Sequence, residues 1–476
     1  MKPVSLLFTL ACLLALLAGA PLQAAQRPNI LFLFSDDQRA DTIHALGNHY
    51  LRTRNMDRLV AEGTSFTRAY CMGAQQGAVC VPSRAMLMTG RTLFRVKENM
   101  EGQTTWPELY GRAGYRTFVT GKWHNQPPAL LRSFQEGKSI FLGGMGDPYN
   151  LLVQDIGAGG KLVNRRKVEK HSVEAFADQA VEFLKAQKGE RPFLCYVAFN
   201  APHDPRVAPP NYHQVVNGDP PPAPENFLPQ HPFNNGELLV RDEQLAPWPR
   251  TIKVVRQHLA DYYASTMWLD TQVGRILEAL KQSGQHDNTL IVFASDHGLA
   301  IGSHGLMGKQ NLYEHSMRAP LIIAGPGVRR NQRAAAFAYL LDIYPTLGEL
   351  TGVAAPEGSE GESLVPVLTG KSKGERKTLF TAYRGLQRAI RDDRWKLIVY
   401  PRINKTQLFD LKNDPDELRD LSADPAHAKD RERMTALLKQ AQSKAGDEQP
   451  LSTDHPDPLQ IELTAPPAAA PNGNEE

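Results

Sequence analysis

Three observations predict an α/β fold, with a mostly parallel central sheet sandwiched by helices. Short apolar runs recur at residues 29–34, 115–119, 193–199 and 290–294, with the unbroken hydrophobicity of strands buried on both faces. Helix-like stretches separate them, and strands alternating with helices make a parallel sheet wrapped by helices. Each run also ends in ionisable residues: Asp36-Asp37, then Lys122 and His124, then His203, then Asp296-His297. In such folds ligands bind at the carboxyl ends of the strands. One such ending reads as a turn or cap, but four of them describe a site.

In chain order, residues 29–34 make the first strand and a helix follows around 56–62. A second helix is expected near 80–89, because Pro82 suits a first turn and Gly90 a stop. A helix at 106–112 leads through Gly114 into the strand at 115–119, which runs into Gly121-Lys122-Trp123-His124. Between 171 and 187, Val173, Phe176, Ala177, Ala180, Val181 and Leu184 have amphipathic helical spacing. The Pro-dense stretch 205–250 has no periodicity and reads as a functional or mobile loop. A long helix spans 254–281, a strand 321–323, and a helix at 339–351 closes the large domain. From about Leu379 the texture turns to short strands (389–390, 395–400, 407–411) and a helix at 431–444, a small antiparallel sheet-plus-helix subdomain. The tail from Gly446 is rich in Pro, Ala and acidic residues and reads as disordered. The expected division is 1–25, 26–375, 376–445 and 446–476.

The 476 residues, 41% hydrophobic and 22% charged, describe a globular protein. A net charge of +3 from 54 basic and 51 acidic residues excludes a nucleic-acid footprint, so any preference for anions must be local. Lys2, the apolar core 6–17 and Leu22-Gln23-Ala24-Ala25 read as a signal peptide cut after Ala24 or Ala25. That implies export to the periplasm or the medium, with an uncleaved anchor as the alternative. Cys71, Cys80 and Cys195 would remain, an odd count for an exported protein. Cys71 and Cys195 are expected as reduced structural thiols.

Cys80 would sit at a helix N-terminus, where free N–H groups favour an anion and acidify a thiol, with Arg84 one turn on. A lone Cys there is more commonly a buried structural residue. Cys80-Val81-Pro82-Ser83-Arg84, with Thr89-Gly90-Arg91 beyond, resembles the signature of the formylglycine-dependent sulfatases. The resemblance spans roughly residues 27–444 and includes a Leu-Phe-Asp-Leu strand before an Asp-Pro turn. It implies an alkaline-phosphatase-like fold and oxidation of Cys80 to Cα-formylglycine by a formylglycine-generating enzyme that reads Cys80, Pro82 and Arg84.

The resemblance further implies that Asp36, Asp37, Asp296 and His297, with the matured Cys80, hold one divalent ion, most often calcium. His297 departs from the Asn of many members and matches the iduronate and choline sulfatase branch. Hydrated formylglycine would attack sulfur and later expel sulfate. Arg84, Lys122 and Lys309 map onto the cationic cradle. His124 would hold or deprotonate the diol, and His203 or Lys309 would protonate the leaving oxygen. His304, His315 and Arg318 receive no role, and Arg206 is a candidate for gripping substrate. The expected activity is hydrolysis of sulfate esters of saccharides. Phosphonate or phosphate ester hydrolysis, an aryl or choline sulfatase, and a non-catalytic binder of sulfated glycans are the competing readings.

Overall fold

The computed structural model describes residues 27–463, with 190, 219 and 357 excepted. The signal-peptide reading falls on residues outside that range. In chain order the strands are β1 (Asn29–Ser35), β2 (Gly63–Tyr70), β3 (Gly73–Ala74), β4 (Arg116–Lys122), β5 (Glu136–Phe141), β6 (Leu152–Gly157), β7 (Lys161–Lys167) and β8 (Phe193–Ala198). They continue with β9 (Thr289–Ser295), β10 (Leu321–Ala324), β11 (Gln332–Tyr339), β12 (Leu379–Tyr383), β13 (Gln387–Arg391), β14 (Trp395–Tyr400) and β15 (Lys405–Asp410).

Ten strands form one sheet in the order β11-β2-β10-β9-β1-β8-β4-β5-β6-β7. Its centre, β9-β1-β8-β4-β5, is parallel throughout. β10 runs antiparallel to both neighbours, and β6 and β7 extend the other side as antiparallel strands. Alternate residues of β1 enter different cores. Ile30, Phe32 and Phe34 pack with Trp106 and the Cys80–Thr89 helix, while Leu31 and Leu33 face the helices Ser172–Lys185 and Ile252–Gln282. Burial on both faces is why these strands read as continuous apolar runs. β7, with the sequence KLVNRRK, is an exposed edge whose charges discourage further pairing.

The small sheet, β15-β14-β13-β12-β3, is antiparallel except that β3 joins β12 in parallel. Its fifth strand therefore comes from just upstream of Cys80, so the sheet is not built from C-terminal residues alone. Gly73 is required there, since a Cβ would lie 1.9 Å from the Ala382 carbonyl oxygen and φ is +110°. The buried Glu314 ties this sheet to β2, accepting from Tyr70 Oη (2.5 Å), Arg391 Nη1 (2.8 Å) and Lys396 Nζ (3.1 Å).

Two expectations need correction. Residues 446–463 are not a free tail. Asp447 pairs with Arg388 at 2.6 and 2.9 Å, Asn404 binds the Thr453 carbonyl, Leu459 accepts from Asn234, and Ile461 and Leu463 pack on the core. Specific anchors override a polar, Pro-rich composition. The stretch 205–250 is likewise tied down. It contains the helix Pro210–Gly218, a 3-10 turn at Arg241–Leu245, and buried His231, Phe233, Glu237, Trp248 and Arg250. Elsewhere the strand foreseen at 115–119 runs to Lys122, and Tyr339 ends β11, with the helix beginning at Ile343. No helix of the described residues is long and apolar enough to cross a membrane.

Candidate active site

The parallel centre brings the four ionisable strand ends together. β1 and β9 are in register at Ser35 and Ser295, so Asp36-Asp37 and Asp296-His297 leave the sheet side by side. Asp37, at φ +61°, donates its N–H to Asp296 Oδ1 at 2.9 Å. The Cys80 helix docks against this edge through Ser83 Oγ, which donates to the Asp296 carbonyl at 2.8 Å.

Cations then fill the spaces between carboxylates. Arg84 Nη2 lies 3.2 Å from both Asp36 Oδ1 and Asp296 Oδ2, and its Nη1 donates to the Lys122 carbonyl at 3.0 Å. Lys122 Nζ donates to Asp36 Oδ2 at 2.5 Å. Lys309 Nζ sits 2.9 Å from both oxygens of Asp37 and 3.4 Å from Cys80 Sγ. His203 Nε2 is 3.7 Å from Asp37 Oδ2, and its Nδ1 donates to the Asp204 carbonyl at 2.7 Å. All of these side chains are buried.

Asp37, Cys80, Asp296 and His297 present donor atoms within 4.8 Å of one another, a set that could hold a metal ion. The tautomer of His297 suits this. Its Nδ1 lies 2.9 Å from the Gly298 carbonyl, which can only accept, so Nε2 carries the lone pair in the neutral ring. Nε2 is buried without a hydrogen-bond partner and stands 3.4 Å from Asp37 Oδ1. The carboxylates also want a cation. Burial, together with the Asp36 charge, pushes Asp296 up, although His297 and Arg84 pull the other way. Against the cost of burial, Lys122, His203 and Arg84 hold Asp36 well below the usual range. Asp36, expected among the ligands, lies outside the four-residue donor set, with its oxygens engaged by Arg84 and Lys122.

Cys80 starts its helix, with Pro82 in the first turn and Gly90 closing it at φ +67°. The expectation of an acidified thiol fails. Cys80 is 1% exposed, and burial pushes the thiol well up despite Lys309 and Lys122. Desolvation of the thiolate outweighs the helix terminus and both ammonium groups. Cys71 and Cys195 are free and buried.

His124 follows β4 at φ +62°, with Nδ1 buried and unpartnered. Burial, then the charges of Lys122 and Arg84, hold its ring far below the usual histidine range, so it is neutral. Its other nitrogen rests against Gly144, where a Cβ would lie 2.4 Å from Nε2. The residues with no role behave as joints. His304 stacks on Tyr313 at 3.9 Å and reaches the Glu417 carbonyl, while Arg318 lies 3.9 Å from Glu314. His315 is buried with both ring nitrogens unpartnered. Arg206 lies over Tyr262, with Nε and Nη2 unpartnered.

Sequence reasoning missed several contributors. Tyr262 Oη donates to the Asp37 carbonyl at 2.7 Å and accepts from Arg39 N at 2.8 Å. Nothing marks it among 14 tyrosines. Gly144, Asp204, Arg241, Asp242 and Gln310 also support the site, and only Asp204 and Gln310 stand beside residues the motifs picked out.

The profile of the family described as Sulfatase matches residues 28–353, and that of the C-terminal part of N-sulphoglucosamine sulphohydrolase matches 302–444. The chain is 28% identical to an N-acetylglucosamine-6-O-sulfatase of Bacteroides thetaiotaomicron, over 94% of this chain and 92% of that one. It is 30% identical to a choline-sulfatase of Rhizobium meliloti, over 86% and 85%. A solved structure in complex with its substrate, D-glucosamine-2-N,6-O-disulfate, superposes with TM-score 0.74 at 26% identity, covering 89% of this chain and 99% of that one.

Proposed function

This chain belongs to the sulfatase family, and from that premise we propose that it removes sulfate from a saccharide, using a matured Cys80 and one divalent ion. The observation that carries the reading is the convergence of Cys80, Asp37, Lys309 and His297 at one buried point. Relatives named for N-acetylglucosamine 6-sulfate and for glucosamine disulfate favour an amino-sugar sulfate. The choline-sulfatase relative supports a small-ester reading, which a panel of defined sulfated sugars and choline sulfate would separate.

Asp37, Asp296, His297 and residue 80 would hold the ion, and Asp36 would join them by releasing one oxygen from Arg84 or Lys122. Three carboxylates favour calcium, and the imidazole is tolerated. When bound, the ion would lower the pKa of the attacking hydroxyl and neutralise sulfuryl oxygens. Oxidised to Cα-formylglycine, residue 80 would supply that hydroxyl as a hydrated aldehyde. Cys80 and Arg84 are 1% and 2% exposed, so a maturation enzyme reading them must act before the chain folds.

The remaining work belongs to fixed side chains. Arg84, Lys122 and Lys309 bring three positive charges to the point where the sulfuryl oxygens would lie, oriented beforehand by Asp36, Asp296 and Asp37. His124, kept neutral, is suited to hold a hydroxyl at position 80 through Nδ1 rather than to take its proton. His203, or Lys309 beside it, delivers a proton to the leaving oxygen. Arg206, whose Nε and Nη2 have no hydrogen-bond partner, would grip a substrate oxygen. The segment 1–25 would direct export.

Matched aryl sulfate and aryl phosphate esters test the reaction type. A sulfate monoester carries one negative charge and a phosphate monoester nearly two. A second donor group, Asp37, His203 and Asp204, adjoins the first, but Arg241 takes both Asp204 oxygens, so the site is suited to one ion rather than to the pair about 4 Å apart that phosphatases use. The sulfate should react at least roughly a hundredfold faster in kcat/KM, about 3 kcal/mol in transition-state stabilisation. Equal or faster phosphate turnover would refute the assignment.

A further inference from the structure

We infer that Arg241, together with Asp242, is a positioning residue for the proton-delivering side of the site, setting His203 and Lys309 in place while touching neither. This rests on the reading of His203 or Lys309 as proton donor. Arg241 Nη1 lies 3.0 Å from Asp204 Oδ1 and 2.9 Å from Asp242 Oδ1, and Nη2 is bonded to Asp204 Oδ2. One planar guanidinium therefore bridges two carboxylates, a geometry that a lysine ammonium cannot reproduce.

Each carboxylate leads to a different candidate donor. Asp204 follows His203, and its carbonyl accepts the His203 Nδ1 proton at 2.7 Å. Its Oδ1 stands 3.4 Å from the same nitrogen. Fixing Asp204 thus fixes the ring that aims Nε2 at Asp37. On the other side, Asp242 Oδ2 accepts from Gln310 Nε2 at 2.8 Å, and Gln310 Oε1 accepts the Lys309 backbone N–H at 3.0 Å. Gln310 Nε2 also donates to the Gly77 carbonyl at 3.1 Å, three residues before Cys80.

The next residue, Glu243, fastens the same loop. It accepts from the N–H groups of Met307 (2.9 Å) and Gly308 (2.8 Å) and is closed by Arg250 at 2.7 Å. Three consecutive residues of the 205–250 stretch therefore hold the backbone that carries Lys309 and the residue that orients His203. The Arg241 side chain is 43% exposed while Asp204 and Asp242 are each 10% exposed, so water reaching the gap offsets part of the lost pairing and Arg241→Lys, which keeps the charge, controls for the rest.

The test compares two sulfate esters: an aryl sulfate whose phenolate leaves unaided, and an alkyl sulfate whose alkoxide needs a proton. Removing the bridge should hurt the second far more than the first, because Lys309 also faces the sulfuryl oxygens common to both. In Arg241→Ala, kcat for the alkyl ester should fall about 10- to 100-fold, the scale of a displaced proton donor. Its KM should stay near the parent value, the aryl ester rate should fall severalfold less, and a thermal melt checks that the variant is folded. Asp242→Asn, which keeps an acceptor for Gln310 but weakens the pairing with Arg241, should show the same pattern, and Arg241→Lys a partial loss. Equal losses on both esters, or none, would overturn the inference. His203→Ala and Lys309→Ala serve as references. If neither discriminates between the esters, the proton-donor reading fails and takes the inference with it. If one does and Arg241→Ala does not, the inference alone fails.

Discussion

Replacing Cys80 by Ala is expected to abolish sulfate ester hydrolysis while the protein stays folded. Loss of a covalent nucleophile removes a route rather than one contact. The fall should be at least about 10⁴-fold, and removal of nucleophiles elsewhere costs on the order of 10⁶. The structural cost is small by comparison. The substitution deletes one sulfur, whose polar neighbours are Lys309 Nζ at 3.4 Å and Asp37 Oδ1 at 3.9 Å. Lys309 keeps both oxygens of Asp37, so no buried charge is stranded. A destabilisation of roughly 1–2 kcal/mol follows, which shifts the melting point of a chain this size by only a few degrees. Initial rates and a thermal melt on the same preparation check both halves. Substantial activity in the Ala variant would remove residue 80 from the mechanism.

The second large effect is expected in Asp296→Asn. Alanine would be a poor choice here. Asp296 Oδ1 accepts the N–H groups of Asp37 (2.9 Å) and His297 (3.1 Å), and Oδ2 pairs with Arg84 at 3.2 Å. Removing a buried partner of a charged pair costs about 3–5 kcal/mol, so a dead Ala variant could simply be unfolded. Asparagine keeps the acceptor for both N–H groups and loses the charge and the acceptor facing Arg84, which retains Asp36. The donor set of Asp37, Cys80, Asp296 and His297 then has one carboxylate fewer. Metal content should fall from one ion per chain to a small fraction, and kcat/KM by roughly 10³-fold as several kcal/mol of charge stabilisation go. Elemental analysis beside the kinetics decides it. Retention of ion and rate together would exclude Asp296 as a ligand, and two zinc ions per parent chain would favour a phosphatase.

The site was legible because its parts hang on the most legible elements. β1, β4, β8 and β9 are buried on both faces, so their sequences are unbroken apolar runs and their polar endings stand out. Residues on edge or mixed strands gave no such signal. β7 is mostly charged, and β2, GTSFTRAY, alternates without a clear period. The Arg241–Glu243 turn was hidden for a different reason. Its partners Asp204, Met307, Gly308 and Gln310 lie 37 to 68 positions away in the chain. Gly144 is explained only by the imidazole of His124 beside it, a contact made in space. The acidity of Cys80 was misread because a helix N-terminus can be seen in a sequence and desolvation cannot.

The central claim is that residue 80 works as an aldehyde and not as a thiol, and the burial of Cys80 sharpens it. A neutral, desolvated thiol with its pKa pushed well up is a poor nucleophile. The direct measurement is peptide mass spectrometry across residue 80, on protein made with a formylglycine-generating enzyme and with its specific activity recorded. The account predicts Cα-formylglycine at position 80, in a fraction that rises in step with activity between preparations. Fully active protein carrying only unmodified Cys80 would contradict it.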